Sequence, residues 1–291
     1  MKKFHLSKFI VGGTAAAMIA IAAPAQAIVV STDTLASSLA STLLGAGAVT
    51  ITGSTLNGHS TSSGTYTNGT GTYGIGAGIL LSTGNVNDYA DGANTVVNKT
   101  TQFGVAATPG QEILLDPITG GGFDHNDVTQ LSITFDVGAA TSIFFNAVFG
   151  SEEFPEFVNS SFIDGFGMWL NGVNIALFDG QPININHPDM AAVAGTELDG
   201  VLDPTGGSGA PVMLFEGAVA ANSIGNVLNI IIADTSDDIL DSTVYLSGFG
   251  TENPGGGTTG GGAQVPEPAS FAILGLGLLG FGAARRRRRV S

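Results

Sequence analysis

Leu131-Ser132-Ile133-Thr134-Phe135-Asp136-Val137 alternates apolar and polar side chains at every step. Successive side chains of an extended chain point to opposite faces, so this stretch reads as a β-strand with one face buried. Downstream, residues 143–149 are more continuously apolar, with Phe145 and Phe149 on one parity. Residues 166–170 and 175–178 flank Asn171-Gly172-Val173-Asn174, and Asn-Gly is a strong hairpin-turn signal. Ile79-Leu80-Leu81 upstream, and residues 212–215, 227–233 and 244–249 further on, complete the strand-like runs. Strands at this density, punctuated by Gly and Asn, predict a mainly β fold: an antiparallel β-sandwich, jelly-roll-like, with a closed barrel as the alternative. One short helix is expected near the start, over residues 31–44. There Leu35, Leu39 and Leu43 recur every fourth position, and Ser31, Thr32 and Asp33 offer capping oxygens.

Charge narrows the setting. Residues 28–264 hold 23 Asp and Glu against a single basic residue, Lys99, a net charge of −22 before the ends soften the whole chain to −15. Such a body is repelled by nucleic acid and by anionic lipid, and it attracts divalent cations. The chain has no cysteine, so neither disulfides nor thiolate metal sites support it.

The two ends read differently from the middle. Residues 1–27 begin with Lys2, Lys3 and Lys8, continue with a weakly apolar stretch, and close on Ala25-Gln26-Ala27. That is the pattern of a signal peptide cleaved by signal peptidase after Ala27, with Ala25 and Ala27 as the small residues its pocket admits. Residues 28–250 are expected to form the sandwich domain, and residues 251–264, rich in Gly and Thr, a flexible linker. In residues 265–291, Pro266-Glu267-Pro268 precedes an apolar run ending at Ala284, then Arg285, Arg286, Arg287, Arg288 and Arg289. The run is short for a spanning helix, and the arginines would stay cytoplasmic. This predicts a minimal C-terminal transmembrane helix that holds the protein in the inner membrane transiently.

Two stretches of the body place carboxylates directly after apolar strands. One is Phe149-Gly150-Ser151-Glu152-Glu153-Phe154, followed by Asp164; the other is Ala233-Asp234 with Asp237, Asp238 and Asp241 behind it. Loops leaving neighbouring strands can bring such acids together, and Ca²⁺ takes six to eight hard oxygens. A Ca²⁺ site drawing on Asp234, Asp238 and Asp241, joined by Glu152, Glu153 and Asp164, is one expectation. The other is that these acids cap tight turns. His59, His125 and His187 are isolated in sequence, and His125 reads as a loop histidine beside a turn. No nucleophile elbow is present, and adjacent Glu152 and Glu153 point to opposite faces of an extended chain, so no catalytic residues are assigned.

The tail, from Val265-Pro266-Glu267-Pro268 through the Gly/Leu-rich run to the arginines, closely resembles the PEP-CTERM sorting tail of exported proteins in Gram-negative bacteria. The resemblance implies recognition by exosortase, removal or replacement of the tail, and delivery toward the cell surface in systems that accompany exopolysaccharide production. The body, from the Leu35 helix to Phe249, resembles the choice-of-anchor L domain. The most specific parts are Phe149 to Phe154 and the stretch from Ala233 to Ser242, with Phe154 and Ile163 standing where the family has tyrosine and asparagine. It implies location and architecture rather than a reaction. The expected function is an adhesive or structural protein of the cell surface or extracellular matrix, not an enzyme. A carbohydrate-binding module, with Tyr66, Tyr73 and Tyr89 as an exposed platform, is the alternative, and a polysaccharide hydrolase is a weaker one.

Overall fold

A computed structural model describes residues 28–90, 98–192 and 197–260. The expected signal peptide with Ala25 and Ala27, the expected C-terminal transmembrane helix and residues 265–291 lie outside the described residues. From the start, the chain runs β1 (Ile28–Thr32), α1 (Ala36–Leu43), β2 (Val49–Asn57), β3 (Ser63–Asn68), β4 (Gly78–Ser82) and α2 (Pro109–Thr119). It continues with β5 (His125–Val137), β6 (Ser142–Ser151), β7 (Gly165–Leu170), β8 (Val173–Asn174), β9 (Leu177–Phe178), β10 (Gln181–Asn184) and β11 (Met190–Ala191). Last come β12 (Gly200–Leu202), β13 (Met213–Ala218), β14 (Asn226–Thr235), β15 (Ser242–Gly250) and β16 (Thr258–Thr259).

These strands form two sheets. One has the order β1-β3-β4-β15-β6-β12-β11, with β13 also on β6 and β16 on β13; the other runs β2-β5-β14-β7-β10-β9, with β8 on β7. Strand pairs are antiparallel except β13 with β16. Two separate sheets, rather than one closed on itself, make this a layered fold and not a barrel.

The alternation that opened the sequence reading sets the core. Leu131, Ile133, Phe135 and Val137 of β5 meet Phe145, Ala147 and Phe149 of β6, Phe166, Met168 and Leu170 of β7, Leu228, Ile230 and Ile232 of β14, and Val244 and Leu246 of β15. Phe249 stacks on Phe145 at 4.8 Å and meets Phe135 edge-on at 5.1 Å, an arrangement that adds to area burial. The Asn171-Gly172 turn joins β7 to β8 with both residues at positive φ, as a two-residue hairpin requires.

Three sequence expectations change. Helix α1 starts at Ala36, not Ser31, because Ser31 and Thr32 pair with β3 as part of β1; Asp33 instead accepts the Leu35 N–H at 2.9 Å. A second helix, α2, covers the outer face of β5, β7 and β14 with Leu115 and Ile118. The start of the linker is docked rather than free: Thr258 and Thr259 pair with Met213 and Leu214, and the Thr258 N–H donates to the Val212 carbonyl at 2.9 Å. Among the described residues, no helix is long and apolar enough to cross a membrane.

Candidate functional site: a buried carboxylate cluster

Strand parity carries the acids to one end of the two sheets. Asp164 precedes β7 on the parity of Phe166, Met168 and Leu170, and Asp234 follows Leu228, Ile230 and Ile232 along β14. Glu153 follows Phe149 and Ser151 on the inward parity of β6. Glu152 and Asp241 fall on the other parity, shared with Val148 and Tyr245 of the outer cluster. The ends are knitted together by the backbone, since the Glu152 N–H donates to the Asp241 carbonyl at 3.1 Å and the Thr83 N–H to the Ser242 carbonyl at 3.0 Å.

Of the six acids singled out in the sequence, five are fully buried here: Glu152, Glu153, Asp164, Asp234 and Asp241. Asp238 is not among them; it stays partly exposed, where it accepts from Gln102 Nε2 at 2.8 Å. Asp164 is held by the Thr235 N–H and the Ser242 hydroxyl, each at 2.9 Å. Both oxygens of Asp234 lack a hydrogen-bond partner, as do Glu152 Oε1, Glu153 Oε2 and Asp241 Oδ2. Lys99, the one basic residue of the body, places its ammonium on Asp88 at 3.2 Å. Gly84 makes room for Asp241, since a Cβ there would stand 1.7 Å from Oδ2.

Burial sets the electrostatics. It pushes the carboxyls of Glu152 and Glu153 up to about 9, with Asp199 and Asp241 adding to the first and Asp164, Asp237 and Glu156 to the second. Asp164 rises to about 7 against the pull of its Ser242 and Thr235 hydrogen bonds, and Asp241 to about 6 against that of Thr101. Asp234 is raised well above the carboxylate range by burial first, then by the charges of Asp164 and Asp241.

A strap across this end, residues 98–106, was not visible as a functional element in the sequence. Its backbone N–H groups donate to acids in succession: Asn98 to Asp199 at 2.9 Å, Lys99 to Glu152 at 3.2 Å, Thr101 to Asp241 at 2.7 Å, and Phe103 and Val105 to Asp127 at 2.8 and 2.9 Å. Gly104 sits between Phe103 and Val105 at a φ of 67°, and there the segment turns about the Asp127 carboxylate.

His125 is not a loop histidine. It opens β5, is fully buried, and meets Glu112 Oε2 at 2.5 Å through Nδ1 and the Thr119 hydroxyl at 3.1 Å through Nε2. Among the described residues, Glu112, Asp116 and His125 are the one set of three or more such side chains whose ligand atoms all lie within 4.8 Å of one another; no three of the buried carboxylates do. Tyr66, Tyr73 and Tyr89 are buried core residues, which removes the aromatic platform expected of them. A surface cavity of about 300 Å³ lies elsewhere, lined by Asn57, His59, Phe103, Gln111 and Asp127 among others, with His59 stacked on Phe103 at 3.8 Å.

Family comparison matches residues 28–197 to the choice-of-anchor L domain and residues 264–289 to the PEP-CTERM protein-sorting motif. No curated protein and no solved structure matches the chain.

Proposed function

The chain belongs to the choice-of-anchor L domain family and ends in a PEP-CTERM sorting motif, and from that premise we propose that it serves as an adhesive or structural protein of the cell surface or extracellular matrix, associated with exopolysaccharide. The motif marks it as an exported protein sorted by exosortase and processed at the membrane. The family's domain is a non-catalytic surface-protein domain. The observation that carries the reading is the order of parts: a mainly β body with a net charge of −22, then the sorting motif. A body so acidic stays soluble outside the cell and avoids anionic lipid. Within this reading, signal peptidase removes residues 1–27, and the tail holds the protein in the inner membrane until exosortase acts.

Replacing Pro266, Glu267 and Pro268 by alanine should leave uncleaved precursor in the inner-membrane fraction, detected by its larger mass on immunoblots. Normal maturation of that variant overturns the sorting reading. The adhesive role predicts that deleting the gene lowers the protein-dependent retention of exopolysaccharide at the cell surface; unchanged retention removes it.

The surface cavity favours a second reading, a carbohydrate-binding module. Its His59–Phe103 stack stands beside the exposed amide of Asn57, a ring face and a polar group of the kind that hold a sugar. A glycan array that includes the producer's own exopolysaccharide tests it, with Phe103→Ala as the variant that should lose binding. An array without hits leaves the cavity as a surface feature.

A further inference from the structure

The buried carboxylates pose a physical problem that the fold does not solve by itself. A charge taken out of water is costly unless it is paired or coordinates a metal. Here five acids converge on one end of the sheets, and the body's one lysine is engaged elsewhere. Each neighbouring group that offers something to them is a backbone N–H or a hydroxyl, and these satisfy Asp164 fully and Glu152 and Asp241 in part. Five carboxylate oxygens remain without a partner: both of Asp234 and one each of Glu152, Glu153 and Asp241.

We propose that this end of the sheets is a divalent-cation site of calcium type, centred on Asp234 and Asp241, with Glu152 and Glu153 supplying further oxygens and Asp164 positioning Asp234 through its charge. The donor set is made of hard oxygens without nitrogen or sulfur, which suits Ca²⁺ and disfavours zinc or copper. The uncommitted oxygens of Asp234, with those of Glu152, Glu153 and Asp241 drawn in around the ion and water or a backbone carbonyl completing the shell, would supply the six to eight that Ca²⁺ takes. Two features make the arrangement more than a collection of acids. Asp234 is fully buried with no donor in good hydrogen-bond geometry on either oxygen, although the Thr83 hydroxyl and the Asp164 carboxyl stand near enough to act on it, and Gly84 keeps clear the space that Asp241 enters.

The ligand set differs from the one expected from sequence. Asp238 drops out, because it faces Gln102 on the outside. The strap becomes part of the device: the N–H groups of Lys99 and Thr101 donate to Glu152 and Asp241, and an ionised carboxylate is a much stronger acceptor than a protonated one. A cation that fixes these two carboxylates in place therefore also fixes the strap that donates to them.

The test is calorimetric titration of the full chain in detergent with Ca²⁺ after chelator treatment. About one Ca²⁺ per chain is expected, with affinity weakened at least tenfold in Asp234→Asn and unchanged in Asp238→Asn and Asp116→Asn. Circular dichroism establishes whether Asp234→Asn folds; if it does not, Glu153→Gln carries the same expectation. Amide exchange supplies a second readout, in which Ca²⁺ slows the Lys99 and Thr101 amides at least tenfold. Absence of Ca²⁺ binding by the unsubstituted chain overturns the site. So does binding that survives both Asp234→Asn and Glu153→Gln, or binding lost in Asp116→Asn, which would move the ion to the Glu112–Asp116–His125 group.

Discussion

Asp234 and Asp164 show how far a single residue's placement can be read in advance. Each continues the parity of an apolar series on its own strand, Leu228-Ile230-Ile232 in one case and Phe166-Met168-Leu170 in the other. That they point inward was therefore legible once the strands were assigned. That they meet was not, because β7 and β14 are neighbours only through a register between segments far apart in sequence. Glu152 and Glu153 were read as part of an extended chain, but they lie in a turn just past β6, with Asp199 and Asp241 around one and Asp164, Asp237 and Glu156 around the other. Gly84 carried no such signal, since a glycine's reason lies in the atom it makes way for. Gly84→Ala should cost about 1–3 kcal/mol, the usual penalty of overpacking, because its Cβ would fall 1.7 Å from Asp241 Oδ2 and 2.1 Å from Cγ. Denaturant unfolding checks this, and a loss below about 0.5 kcal/mol would mean that the Asp241 carboxylate moves aside freely.

Elements divide by how local their signals are. Strands with strict alternation depend on a few adjacent residues and fall where the sequence predicts them, and Asn171-Gly172 does turn the chain. But the arm that pairs back on β7 is Val173–Asn174, not residues 175–178, of which Leu177 and Phe178 pair with β10. Helix α2 had local signals too, which the strand-dominated context obscured. Thr108 and Gln111 form a capping box, Pro109 occupies the first turn, and Gly120 closes the end at positive φ. Its buried positions, Gln111, Leu115 and Ile118, follow helical spacing, but the interior Pro117 argued against a helix. Thr108→Ala should remove the cap and lower stability by about 1 kcal/mol, a fall of about 2–4 °C in Tm. Gly110→Ala should act in the opposite direction by about 0.5–1 kcal/mol, because Gly110 is helical and its Cβ would meet open space. Scanning calorimetry of the pair separates the cap from general sensitivity of the helix; equal losses in both would show that α2 tolerates no change at its first turn. The strap was illegible for a different reason. Its partners are carboxylates on other segments, most of them met through its backbone N–H groups, which no side-chain pattern announces.

The molecule as a whole has to reconcile a net charge of −22 in its body with carboxylates gathered in its interior. Composition showed the excess of acid, but only the fold shows that part of it is buried away from solvent. That division fixes how stability responds to pH. In chelator, the folded state holds Glu152 and Glu153 at about 9, Asp164 at about 7 and Asp241 at about 6, all above the values of the unfolded chain, with burial the leading cause. Between about pH 4.5 and 9 the folded protein therefore binds more protons than the unfolded one, and stability must fall as pH rises through that window. The charges facing these groups, Asp199, Asp237, Glu156 and Asp88, are all negative and reinforce the trend. Calcium reverses the argument, because it takes up ionised carboxylates and competes with protons for them. Its contribution should be small near pH 5 and grow toward pH 9, reaching about 2.7 kcal/mol at a hundredfold excess over Kd. Melting curves at pH 5, 7 and 9, each with Ca²⁺ and with chelator, read both slopes. A Tm in chelator that rises from pH 7 to 9 would show that the buried acids are ionised without help, and parallel curves in the two conditions would show that the cation does not act on them.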